Sequence, residues 1–143
     1  MTIAAILKHK GSDVAHVMPN ATIAEVTHVL NDRRIGAVLV CCERMELLGI
    51  LSERDIVHAL AVHGASTLDL HADQLMTRHV TTARPKTSVA EAMSMMTSGR
   101  FRHLPVMEQD RLVGLVSIGD VVKARLSQQE QEVDSLKAYV SGA

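Results

Sequence analysis

The segment Gly49-Ile50-Leu51-Ser52-Glu53-Arg54-Asp55 returns later in the chain as Gly114-Leu115-Val116-Ser117-Ile118-Gly119-Asp120, each time with an apolar helical run behind it. A recurrence that includes its flanks restricts the fold to two copies of one supersecondary unit. A shift of 66 residues pairs Pro19 with Pro85, Thr22 with Ser88, Ala24 with Ala90, Glu25 with Glu91 and Val40 with Val106. After one residue is dropped in the following turn, a shift of 65 pairs Leu47 with Leu112, Gly49 with Gly114, Ser52 with Ser117, Asp55 with Asp120 and Val57 with Val122.

Each copy reads as β-α-β-β-α. In the first, a strand at 14–17 ends at Pro19, and Thr22 with Glu25 caps a helix reaching about residue 34, with Ile23, Val26, Val29 and Leu30 on its buried face. An all-apolar strand at 35–42, a polar turn at 43–46, a partner strand at 47–51 and a helix fading by Gly64 complete it. The second copy has a strand at 80–83 before Pro85, a cap at Ser88, a helix burying Val89, Ala92, Met93 and Met96, strands at 101–107 and 112–116, and a helix at 121–126. Short lead-in helices are predicted at 2–8 and 72–76. The predicted organisation is a first repeat with its lead-in helix at 1–64, a linker at 65–71, a second repeat at 72–126 and a helical tail at 127–143. A unit of about 60 residues is marginal alone. Pairing the halves sheet to sheet about a pseudo-twofold axis solves that and leaves two equivalent clefts. The expected fold class is therefore α+β, a tandem pair of packed β-α-β-β-α repeats.

Ser-x-x-Asp at the start of a helix is a capping box, with the Ser oxygen accepting from the N3 amide and the acid binding back to the cap. A helix start at a strand end also has free amide donors and the positive end of the dipole, which suit phosphate. A carboxylate one turn in can accept both hydroxyls of a ribose, as acidic residues do in nucleotide folds. The two readings are compatible: Ser52 and Ser117 cap while Asp55 and Asp120 meet ligand.

Composition narrows the partners. Phe101 and Tyr139 are the only aromatic residues, so any bound base is held by aliphatic side chains, and the stacking platform of single-stranded nucleic-acid binders is missing. A net charge of −1 supplies no general pull on nucleic acid or an anionic membrane. The apolar run 35–42 is too short to span a bilayer, and the N-terminus has no signal-peptide pattern, so a cytoplasmic protein is expected. Adjacent Cys41 and Cys42 are read as buried or half-buried free thiols, as a reducing compartment preserves. The eight histidines show no metal-ligand spacing and are read mostly as surface residues.

In these residues the chain resembles a tandem pair of CBS domains (cystathionine β-synthase domains), a Bateman module. The resemblance rests on the paired Gly-h-h-Ser-x-x-Asp motifs, the strands before Pro19 and Pro85, Thr22-Ile23-Ala24-Glu25 with Ser88-Val89-Ala90-Glu91, and Arg102-His103-Leu104-Pro105-Val106; it covers the chain to about Leu126. It implies binding of adenosine nucleotides (AMP, ADP, ATP, in some cases NAD(H) or S-adenosylmethionine) in the clefts between repeats. Carried over, it puts Asp55 and Asp120 on the ribose. Ser52, Ser117, Arg54, Arg102 and His103 fall near phosphate, and His16 and Thr82 beside the adenine. Ala37, Val38, Leu51 and Val116 become apolar walls. For Arg102 and His103 a solvated strand end is the alternative. The first repeat has Gly36-Ala37 opposite Arg102-His103, and the second motif has Gly119 where the first has Arg54, so the two sites differ in charge.

The expected function is a stand-alone regulatory module, an energy or redox-state sensor with a separate protein target. The alternative is a non-catalytic interaction or dimerisation module with empty clefts. An enzyme is disfavoured, since no nucleophile elbow, Walker-type loop or metal cluster is written in the chain. The tail carries Val133, Leu136 and Val140 at helical spacing; it is either a frayed extension or a helix that packs on a partner. The resemblance implies a homodimer and favours the second.

Overall fold

The structure, a computed structural model, describes residues 1–142; residue 143 of the predicted tail lies outside them. In chain order the elements are α1 (Ile3–Lys10), β1 (His16–Val17), α2 (Ile23–Arg33), β2 (Ala37–Cys41), β3 (Leu47–Ser52), α3 (Glu53–His63), a 3-10 turn (Gly64–Asp69), α4 (Ala72–Leu75), α5 (Val89–Gly99), β4 (His103–Glu108), β5 (Arg111–Ser117) and α6 (Ile118–Gly142). This is the expected α+β mixture, with one small sheet in each of two compact units.

The unit of residues 13–81 holds a sheet ordered β1-β2-β3, with β1 parallel to β2 and β2 antiparallel to β3. The Thr22 hydroxyl oxygen accepts from the Glu25 amide at 3.2 Å to start α2, whose Ile23, Val26 and Leu30 are buried in a core with Val38, Val40, Leu51 and Ile56. The helix stops where Arg34 turns left-handed, φ 53°. Most of the predicted linker forms the 3-10 turn, held by the buried Thr67 hydroxyl donating to the Ala59 carbonyl at 3.0 Å. Short α4 then lies against β3, so close that a Cβ on Gly49 would sit 2.8 Å from the Thr77 carbonyl oxygen.

The other unit joins residues 1–12 to the described residues from 82 onward, called the unit 82–142. The Ser88 oxygen accepts from the Glu91 amide at 3.0 Å to start α5, Val89, Ala92 and Met96 face its core, and Arg100 ends the helix left-handed at φ 56°. The duplication thus extends to backbone conformation, in a region that non-glycine residues enter at a cost. Both hairpins even carry a register shift at matching places, Val40/Cys41 and Val106/Met107.

Two expectations change here. The strand predicted at 80–83 reduces to a single parallel bridge, Ala83 with Val106. In the first unit the Leu39 amide donates to the Ala15 carbonyl at 3.1 Å; at the equivalent place stands Pro105, which has no N–H to give Thr81, and the ladder stops. Chain order also misplaces α1. The sequence reading groups it with the first repeat, but Ile3 and Ile6 are core residues of the unit 82–142, and the Ile3 and Ala4 amides donate to the Thr87 and Pro85 carbonyls at 2.8 and 2.9 Å. Its Leu7 lies over β5, where a Cβ on Gly114 would stand 2.6 Å from the Leu7 side chain.

Helix α6 is one continuous element of 25 residues, about 37 Å long at 1.5 Å per residue. No glycine or proline interrupts it between Asp120 and Ser141, so nothing separates the predicted helix at 121–126 from the predicted tail.

Candidate functional site

Both copies of the motif fold as read, a strand running into a helix through a reciprocal cap. At the start of α3, Asp55 Oδ2 accepts from the Ser52 amide at 2.9 Å and from the Ser52 hydroxyl at 3.0 Å, while the Asp55 amide donates to Ser52 Oγ at 3.4 Å. At the start of α6, Asp120 Oδ2 accepts from the Ser117 amide at 2.8 Å and the Asp120 amide donates to Ser117 Oγ at 3.2 Å. The next amide is anchored alike in both: Glu53 donates to the Gly36 carbonyl at 3.0 Å, Ile118 to the Arg102 carbonyl at 2.8 Å. Each cap fixes its carboxylate through Oδ2, and Oδ1 is uncommitted among the described residues.

The sequence reading missed one further difference between the two sites. Lys10, at the end of α1, donates from Nζ to Asp120 Oδ2 at 2.6 Å and to the Leu115 carbonyl at 2.8 Å. Burial raises the Asp120 carboxyl, but the hydrogen bond and charge of Lys10, with the Ser117 amide and hydroxyl, outweigh it and hold the group below the ordinary carboxylate value. The sequence offered one signal, a basic last turn on α1; with α1 assigned to the wrong unit it pointed nowhere.

In the unit 13–81 the structure collects Ser52, Arg54 and Asp55 in one helical turn, with Ala37 the cross-strand partner of Ser52. Exposed His16, paired with Leu39, lies at the level of Ile50. In the unit 82–142, Ser117 and Asp120 share a turn, half-buried His103 is the cross-strand partner of Ser117, and Arg102 beside it is exposed, as is Thr82.

The apolar walls need correction. Val38, Leu51 and Val116 have no exposed surface and pack within the unit cores, so they offer a base nothing to touch. Strand alternation is the reason: side chains one residue from the serines point to the helix-covered side. The partly exposed apolar residues on the serine face are Ile50 and Leu115, two positions before each serine, and parity along the strand would have found them. Ala37 is nearly closed off as well, at 1% exposure.

Cys41 is buried and Cys42 half-buried, both with free thiols; burial, and then the neighbouring Cys42, push the Cys41 thiol up and keep it protonated. Seven of the eight histidines are exposed, His103 being the half-buried one. No helix among the described residues is long and apolar enough to cross a membrane.

A duplicated α+β unit whose two strand-to-helix junctions each present a capping serine and a half-committed aspartate defines a class of tandem-repeat modules. The chain belongs to the CBS domain family: the family model, described as CBS domain, matches residues 7–62 and 72–127. It is 32% identical over 149 residues to the CBS domain-containing protein CBSX3, mitochondrial, of Arabidopsis thaliana, covering 99% of this chain and 72% of that protein. It is similar in structure to the CBS-domain containing protein ATU1752 from Agrobacterium tumefaciens, with TM-score 0.86 and 42% identity over 87% of this chain and 99% of that one. The CBS domain pair of protein MJ0100, solved in complex with 5′-methylthioadenosine and S-adenosyl-L-methionine, shares the fold at TM-score 0.78 and 24% identity, over 90% of this chain and 98% of that one.

Proposed function

We propose that this chain is a non-catalytic regulatory module that binds an adenosine nucleotide, AMP, ADP, ATP or NAD(H), at its two Ser-x-x-Asp helix starts, and signals through a separate protein target. The observation that carries this reading is the half-committed carboxylate: Oδ2 of Asp55 and of Asp120 belongs to the cap, while Oδ1 is available to a ribose diol. Each helix start adds amide donors and a positive dipole end for phosphate beside Ser52 and Ser117. Arg54 serves the first site; Arg102 and His103 serve the second. His16 on β1 and Thr82 just before the Ala83 bridge are both exposed where a base edge can reach backbone groups, with Ile50 and Leu115 replacing the buried walls. The two ligands bound to MJ0100 both contain adenosine, which supports this ligand class. Cytoplasmic action is part of the proposal, on the two free thiols that a reducing compartment preserves. A nucleotide shifts such a module only by its difference in affinity between two states.

A second reading, caps without ligand, is favoured by the completeness of both caps and by the cation already resting on Asp120. Calorimetric titration of nucleotide-free protein with AMP, ATP and NADH separates the two. Asn at 55 and 120 retains an oxygen for the cap and removes the charge, so the double variant Asp55→Asn, Asp120→Asn folds and loses binding if the aspartates hold ribose. Wild-type protein that takes up none of the three, and whose melting point none of them raises, is the outcome of the second reading.

A further inference from the structure

The two strand-to-helix junctions present opposite charge to whatever binds there. Gly114, lacking a side chain, lets Leu7 of α1 rest on β5, and one turn further the same helix delivers Lys10 to the start of α6. The Lys10 ammonium has three hydrogens. One goes to Asp120 Oδ2 and one to the Leu115 carbonyl, so the third is uncommitted among the described residues. The Lys10 and Asp120 side chains are 39 and 26% exposed, and a solute can reach the pair. Arg102, whose carbonyl anchors the Ile118 amide, is exposed on the same junction. The first residue of α6 there is the uncharged Ile118, also exposed. At the other junction Gly36 stands in the place of Arg102, α4 has no basic residue in its last turn, and α3 begins with the exposed carboxylate Glu53. Glu53 and Asp55 therefore outnumber Arg54 at the first junction, whereas Lys10 and Arg102 outnumber Asp120 at the second.

We propose that Lys10 and Glu53 are specificity-determining residues that sort adenosine nucleotides by charge. The junction of Asp120 takes a nucleotide with a polyphosphate chain, and the junction of Asp55 takes adenosine with one phosphate or none. The inference rests on the nucleotide-binding reading above and assigns each junction its ligand. A phosphate chain starts on the ribose itself, so charged groups around the ribose carboxylate act on it at short range, where salt screens incompletely. At Asp120 the lysine offsets the carboxylate through Oδ2 and leaves Oδ1 to the sugar. A polyanion then meets an attractive field and one spare N–H donor. At Asp55 the carboxylate is not offset by a lysine, and Glu53 adds a second negative charge in the first turn of the helix, where it occupies the end of the dipole that favours anions. Arg54 balances one of the two carboxylates, which suits a single phosphate and opposes a triphosphate.

Two single-site forms of the full chain test the sorting. Asp55→Asn keeps the second junction and Asp120→Asn keeps the first. Each is titrated calorimetrically with ATP, AMP and adenosine in EDTA, which holds ATP free of metal, and each should bind one equivalent. The quantity read is the adenosine Kd divided by the ATP Kd, expected to be about tenfold larger at the second junction than at the first. Exchanging the determinants should move it. Ile118→Glu in the Asp55→Asn form lowers the ratio about fivefold, and Glu53→Ile in the Asp120→Asn form raises it about fivefold. Both positions are exposed and neither side chain takes part in a cap, so the fold is kept, which circular dichroism checks. Lys10→Arg, which keeps the charge, leaves the ratio of the second junction within about twofold. Equal ratios at the two junctions, or ratios that the exchanges leave unmoved, overturn the sorting while nucleotide binding stands. Tighter binding of ATP and adenosine alike in Lys10→Met also overturns it, because the lysine is then only a plug. Wild-type protein that binds none of the three ligands, or a single-site form that still binds two equivalents, overturns the underlying reading of the aspartates and the sorting with it.

Discussion

The two helix starts share one motif and one cap geometry and differ in electrostatic state. At Asp55 the cap partners are all from Ser52; at Asp120 an ammonium group from α1 shares the same carboxylate oxygen. Beyond the exchange of Arg54 for Gly119 within the motif, this difference lies in the lead-in segment that each unit receives. Helix α1 runs from Ile3 to Lys10 and ends in lysine over the junction, while α4 stops at Leu75 after 4 residues and brings no cation. A duplicated site therefore becomes less like its copy through a change in a peripheral helix as well as through the Arg54/Gly119 exchange within the motif.

The largest effect separates the glycines on which the two lead-in segments rest. Gly49→Ala forces a Cβ against the Thr77 carbonyl and the Met76 sulfur, and we expect a loss of about 2–3 kcal/mol in urea unfolding. Gly114→Ala meets only the tip of Leu7, which can rotate away, and should lose roughly 1 kcal/mol. Equal losses would mean that the two lead-in segments are held equally tightly.

Next comes the ligand preference of the second site, on the function proposed above. In an Asp55→Asn background, Lys10→Met should weaken binding of ATP about fivefold more than binding of adenosine, because the lysine adds positive charge where phosphates gather. Calorimetry reads both affinities; an identical loss for the two ligands would show that Lys10 acts on the ribose carboxylate alone.

The ion pair itself contributes less. Asp120 titrates below its unfolded value, so its contribution to stability is present above the unfolded carboxylate pKa, about 4, and is lost as pH falls through the lowered folded value. Lys10→Met should cost about 0.5–1 kcal/mol at pH 7 and low salt, since the pair is partly exposed. That cost should shrink in molar salt and vanish once Asp120 is protonated. A cost independent of pH would assign the effect of Lys10 to packing, and an NMR titration of Asp120 in wild type and variant checks the direction of the shift.

The smallest effect should be the same in both halves. Arg34 and Arg100 close α2 and α5 in the left-handed region, where glycine is at ease. Arg34→Gly and Arg100→Gly should each stabilise by about 0.5–1 kcal/mol in thermal unfolding. A gain in one half only would reveal a role for the other arginine's side chain.

Local signals were readable from the residues. Thr22, Ser52, Ser88 and Ser117 cap the helices expected of them, and Ile23, Val26, Val89 and Met96 face the cores, because caps and helical periodicity act over a few residues. What depended on distance was not readable. The contact of Lys10 with Asp120 spans 110 positions, and no periodicity encodes it. Two misreadings were avoidable. Pro105 in place of Leu39 already forbids the hydrogen bond that would lengthen the third strand, and parity puts Leu51 and Val116 on the side away from Ser52 and Ser117. The resemblance to CBS domains supplied the likeness of the sites, and Gly119 in place of Arg54 with Arg102-His103 in place of Gly36-Ala37 already made their charges unequal; the Lys10 contact was in neither.

The placement of α1 has a consequence for the order in which the molecule forms. Residues 13–81 contain every segment of their unit, so that half can close while the chain is still being synthesised. Residues 1–12 cannot settle until β5 and the start of α6 exist, more than 100 residues later, and loops of that length make native contacts slow to find. Until then Ile3 and Ile6 stay exposed on a segment that is synthesised well before the residues it docks on.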